Sequence, residues 1–114
     1  MKRGLPVERF VGLISGNPAR IFGLYPRKGG LAIGADADVT LLDPGATWTV
    51  TVEDALHKNK WTPYEGKQIT SRVMQTIRRG ATIYDDTRQG QGSERVLARP
   101  GSGRFLPRGY GETT

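Results

Sequence analysis

The sequence predicts an α+β fold: an N-terminal helical pair, about four antiparallel strands, then an irregular C-terminal arm. Three patterns point to it. Apolar residues recur at helical spacing through Val7, Phe10, Val11 and Ile14. Trp48, Val50 and Val52 alternate with threonines at a period of two, and Val73, Gln75 and Ile77 alternate with Arg72, Met74, Thr76 and Arg78. From Asp85 onward the chain turns polar, with six glycines and two prolines, a composition that cannot offset its ordering cost unless it docks on something.

Pro6 suits a first helical position, and Ser15-Gly16 is the expected end of the first helix. Asn17 then reads as the N-cap of a second helix, with Pro18 at its first position and Gly23 closing it. A glycine-punctuated stretch, Lys28 to Pro44, follows. Gly34 is suited to positive φ, and the stretch delivers a short strand over Asp38 to Leu42. Asp36 and Asp38 are placed to lock this turn by accepting backbone N–H groups. The competing metal or acid–base reading is weaker, because no third ligand stands nearby and metal sites need several convergent ones. Gly29 to Gly34 lacks the Gly-Lys-Ser/Thr ending of a phosphate loop, so nucleotide binding is not supported.

Trp48 is read as packing in a half-buried strand rather than as a stacking platform. Glu53 to Lys60 is ambiguous between helix and loop. If it is helical, Glu53, Asp54 and His57 share a face and resemble an acid–base or metal constellation; an exposed histidine near acids is the preferred reading. Lys58 and Lys60 read as a solvated face. Lys60 to Gly66 is a turn pinned by Pro63, with Glu65 read as structural rather than as a general base. Arg79-Gly80 signals a hairpin between Ser71–Arg78 and Ala81–Tyr84.

Composition removes several function classes. The 114 residues contain no cysteine and one histidine, His57, so disulfides and thiolate sites are excluded and a hydrolytic metal centre lacks its imidazoles. The absence of cysteine agrees with a cytoplasmic setting. No apolar run reaches the roughly 18 residues of a membrane span. Glu8-Arg9 interrupt any signal-like start at Met1-Lys2-Arg3. The net charge of +6 raises nucleic acid as a partner, but Arg88, Arg95, Arg99, Arg104 and Arg108 concentrate the excess in the last 30 residues. A free-standing basic module touching nucleic acid through Arg104, Phe105, Arg108 and Tyr110 is therefore one candidate, a reading the sequence disfavours.

Five passages resemble one family. Lys28-Gly29 … Gly34-Ala35-Asp36-Ala37-Asp38-Val39 … Asp43-Pro44 is similar to the passage leading cyclic amidohydrolases (hydantoinase, allantoinase, dihydroorotase) from their barrel into a small β-sandwich. Leu13 to Leu24 resembles the last barrel helix and its following turn, where Asn17-Pro18-Ala19 starts a helix. Lys60-Trp61-Thr62-Pro63-Tyr64-Glu65-Gly66 and Val73 to Gly80 resemble a loop and a sandwich strand of allantoinases and dihydroorotases, pointing away from hydantoinase proper. Pro100 to Arg108 resembles the C-terminal arm.

The resemblance implies three regions: 1–25 as the last barrel helices, 26–84 as part of the sandwich and 85–114 as an irregular basic arm. It implies a C-terminal segment of a metal-dependent enzyme that hydrolyses a C–N bond of a cyclic amide or ureide with two metal ions, usually zinc. It assigns this chain no catalytic, cofactor-binding or metal-ligating residue, since the family's ligands precede the matched stretch. The implied partner is the missing barrel portion, in the same chain or as a separate subunit, with homo-oligomerisation of the whole enzyme. Without that cover, Phe10, Ile14, Phe22 and Trp48 are expected to lose part of their burial.

Overall fold

A computed structural model of the chain describes residues 4–87 and 92–109. It divides into two compact units, Met1–Ala37 with Gly103–Thr114, and Asp38–Ser102.

In the first unit the expected helical pair is one continuous helix. It comprises α1 (Val7–Val11), a π turn over Gly12–Gly16 and α2 (Asn17–Ile21). Asn17 is not an N-cap: its φ of −67° and ψ of −46° are helical, and its N–H bonds the Gly12 carbonyl. Pro18 supplies the physical reason for the wide turn. A helix-interior proline has no N–H and its ring crowds the carbonyl four residues back, and a π turn relieves both. The helix ends as the sequence predicts, at Gly23 (φ +69°). The Gly23 N–H bonds Arg20 O at 3.2 Å and the Leu24 N–H bonds Ala19 O at 2.8 Å, a glycine-centred closure of the last carbonyls.

The loop after the helix returns across it where side chains are small. A Cβ on Gly29 (φ +87°) would overlap the Ala19 Cβ and lie 3.2 Å from Ser15 O. Gly16 and Ala19 are buried beneath this crossing. Gly34 (φ +93°) takes the positive φ expected of it, in a turn closed by Ala35 N–H to Ala32 O at 3.0 Å. Ala19, 6% exposed, is the one buried hydrophobic side chain among the described residues.

The second unit holds two antiparallel sheets. One has the order β1 (Val39–Asp43), β4 (Arg72–Arg78), β5 (Ala81–Asp85); the other pairs β2 (Trp48–Thr49) with β3 (Gln68–Ile69). The β4–β5 turn has positive φ at both Arg79 (48°) and Gly80 (80°), the backbone that matches strand twist in a two-residue hairpin. The strand expected through Val52 stops at Thr49. Val50 still pairs with Lys67, while Val52–Asp54 coil into a 3₁₀ turn. Each outer strand meets β4 through a bulge. Against β1 the extra residue is Met74, whose carbonyl accepts Asp86 N–H at 2.8 Å; against β4 the extra residue on β5 is Ile83.

The two glycine positions separate backbone strain from lack of space. Gly34→Ala, with open space around it, is expected to cost about 1–2 kcal/mol from its left-handed backbone alone. Gly29→Ala adds overpacking of about 1–3 kcal/mol to the same backbone term. Denaturant midpoints of the two variants check the order.

Candidate functional site

Of the acids singled out in the sequence, Asp36, Asp38 and Asp54 are each committed to partners within their own unit. Asp36 Oδ2 takes Lys28 Nζ at 2.8 Å and Arg27 Nε at 3.1 Å, where backbone N–H groups were expected. The Lys28 hydrogen bond, followed by Arg27, holds its carboxyl below the usual carboxylate range. Asp38 does accept a backbone N–H, from Arg79 at 2.8 Å, so it fixes the hairpin turn rather than its own. His57 is exposed on a bend beyond the 3₁₀ turn; the segment is not a helix, and His57 shares no helical face with Glu53 and Asp54. Asp54 turns to Thr51 and Arg95. Glu65 is exposed in the turn closed by Lys67 N–H to Tyr64 O. Lys60 Nζ binds Ala55 O at 2.8 Å. Asn17 stays within the helix.

Trp48 is held at both ring and nitrogen. Its Nε1–H donates to Ser71 O at 2.9 Å, and the Arg72 guanidinium stacks 4.6 Å from the ring centre. Among the described residues no three His, Cys, Asp or Glu side chains converge so as to hold a metal. The donor set of the described residues does not fit a binuclear metal centre.

The polar cluster that does form went unnoticed in the sequence. It centres on Asp86, whose side chain is 9% exposed. Arg72 grips it with Nε and with NH2 at 2.8 Å, the Tyr84 hydroxyl donates at 2.9 Å, and Arg95 NH1 lies at 3.3 Å. The Arg72 hydrogen bond, then that of Tyr84, lowers the Asp86 pKa, while burial first and Asp86 second raise that of Tyr84. An aspartate held ionised beside a phenol held neutral, both saturated by protein partners, suits packing rather than proton transfer. The sequence carries part of the signal, the two-residue spacing of Tyr84 and Asp86; the bulges at Met74 and Ile83, which periodicity does not mark, help decide that Arg72 meets them.

The first unit carries a groove of about 440 Å³ lined by Phe22, Leu24, Phe105, Leu106, Pro107 and Arg108. The Gly109 N–H donates to Gly23 O at 3.1 Å. The groove can cover an apolar group, and its lining offers no acid or nucleophile. Arg88 and Tyr110 of the basic reading lie outside the described residues.

A model of the amidohydrolase family matches residues 1–84. The chain is 38% identical to an allantoinase of Bacillus licheniformis over 106 residues, covering 93% of this chain and 22% of that protein. It is 41% identical to a D-phenylhydantoinase of Escherichia coli over 105 residues, covering 91% and 21%. Among solved structures, D-hydantoinase from Bacillus sp. AR9 superposes with a TM-score of 0.82 at 31% identity, over 98% of this chain and 23% of that one. Dihydropyrimidinase from Brevibacillus agri gives 0.79 at 32% identity, over 94% and 22%. The chain thus spans under a quarter of the length of these proteins. The identity to the hydantoinase is no lower than to this allantoinase, so the lean away from hydantoinases read in the Thr62-Pro63 loop is not reflected here. These matches are to hydrolases and lend nothing to the nucleic-acid reading of the tail.

The cluster generates one pH test. Because the Asp86 pKa is lowered on folding, its stabilisation is present above the ordinary carboxylate pKa of about 4 and is lost as pH falls through the folded value. Asp86→Asn is expected to cost about 1–3 kcal/mol at pH 7 and progressively less below pH ~4, as denaturant midpoints at pH 7 and pH 3 will show. By the match over residues 1–84, the chain belongs to the amidohydrolase family.

Proposed function

We propose that this chain is the C-terminal, structural portion of a metal-dependent cyclic amidohydrolase, an enzyme that opens the C–N bond of a cyclic amide or ureide of the allantoin, dihydroorotate or hydantoin type. The observation that carries the reading is the near-complete match of this chain to under a quarter of allantoinase and hydantoinase. In this reading residues 1–25 are the last barrel helices, 26–84 are part of the β-sandwich and 85–114 are the arm. The remainder of the enzyme supplies the barrel, the two metal ions (zinc by resemblance) and their ligands, and the whole enzyme is a cytoplasmic homo-oligomer.

The surface of the first unit supports this. Ile14 is 60% exposed and Phe22 61%, and Val7, Val11 and Ile21 are also exposed, an apolar stripe left without cover in the isolated chain. Phe10 and Trp48, expected to lose cover with them, remain half-buried. In the second unit Leu41 and Leu42 are exposed on outer strand β1, apolar residues at a sheet edge of the kind that proteins normally cover.

Substituting this chain for the matching segment of the Bacillus licheniformis allantoinase tests the reading. The chimera is expected to hold zinc and open allantoin, and the chain alone to do neither; ring opening by the isolated, zinc-loaded chain contradicts it. Ile14→Asp separates the two settings further. In the isolated chain it is expected to change stability by no more than about 0.5 kcal/mol, and in the chimera to cost about 3 kcal/mol or more, because it places a charge under cover without a partner. Thermal melts of both pairs check this.

A further inference from the structure

We propose that Arg95 is an ionic clasp that lays residues 92–97 along the outer edge of β5 and keeps that edge closed to other strands. The strand order β1-β4-β5 leaves β5 on the outside of its sheet. Its edge is nonetheless occupied: Val96 forms an antiparallel bridge to Tyr84, and the Leu97 N–H bonds Ile83 O at 2.9 Å. Ile83 is the extra residue of the β5 bulge and has no register partner on β4, so the strap attaches at the point where the β4–β5 ladder is interrupted.

This single bridge, of which the Leu97 N–H to Ile83 O bond is part, is too little to order six residues. Apolar burial adds only a small part, since Ser93, Glu94 and Val96 are exposed and Leu97 is half-buried. Arg95 is the strap's deepest polar anchor, with 17% of its side chain exposed. Its NH1 lies 3.3 Å from Asp54 Oδ1 and 3.3 Å from Asp86 Oδ1. These carboxylates come from different elements, the 3₁₀ turn Val52–Asp54 and the end of β5. Arg72 and Tyr84 already engage Asp86, which leaves Asp54 as the acid in which Arg95 has the larger share. The clasp therefore closes only when three segments are in place. Released, the β5 edge presents free N–H and C=O groups, the usual template for pairing with another extended segment.

Amide hydrogen exchange on the full chain tests the clasp, with Arg95→Met, which keeps the apolar stem and removes the charge, beside Leu97→Ala. Arg95→Met is expected to speed exchange across 92–97 at least tenfold and to leave the β4 and β5 amides at their wild-type rates. Leu97→Ala is expected to speed the same strap amides far less. Unchanged protection of 92–97 in Arg95→Met overturns the proposal. So does loss of β4–β5 protection in that variant, including failure to fold, and so does a Leu97→Ala strap that opens as fully.

Discussion

A chain of this size ordinarily draws its stability from a core whose buried apolar area outweighs the entropy of ordering the backbone. Here Ala19 is the one hydrophobic side chain that the described residues bury, and it is a methyl group beneath a glycine crossing. The helix presents Ile14 and Phe22 outward, and Phe105 is 90% exposed. This shortage of interior shapes the rest of the molecule. What order the chain has must come from close backbone approach, turn chemistry and polar contacts, and its apolar faces are left exposed.

Each unit answers the shortage differently. In the first, small residues let backbones meet: Gly29 rests on Gly16 and Ala19, and Gly23 on Gly109, so a carbon added at Gly29 or Gly23 would overlap its neighbour. In the second, Arg72 joins the two sheets by stacking on Trp48 of one while gripping Asp86 beside the other. Such networks specify a geometry well and contribute modest net stability, because ionised groups give up hydration to enter them. They organise a segment without making it self-sufficient.

Much of this was legible in the sequence because it rests on local chemistry. The Gly23 helix stop, the Gly34 turn and the Arg79-Gly80 hairpin follow from which residues accept positive φ. The continuous helix was not legible. Asn17-Pro18 is an ordinary helix start, and only the widened turn over Gly12–Gly16 lets Pro18 sit inside a helix instead. Trp48 to Val52 has the right period for a strand, yet pairing with Gln68 and Ile69 extends only two residues. The Asp86 cluster escaped notice because two bulges, at Met74 and Ile83, decide which side chains meet, and a bulge leaves no mark on periodicity.

Under the proposed function the consequence is a division of labour, with reactive groups encoded outside this chain and packing surface encoded within it. The heat capacity change on unfolding measures that division most directly, since it scales with the apolar area a fold has removed from water. A self-sufficient domain of this length is expected to give about 1.5 kcal/mol/K. The isolated chain should fall well below that and rise toward it as part of a complete enzyme; a sharp monomeric transition carrying the full value for the chain alone would contradict the account.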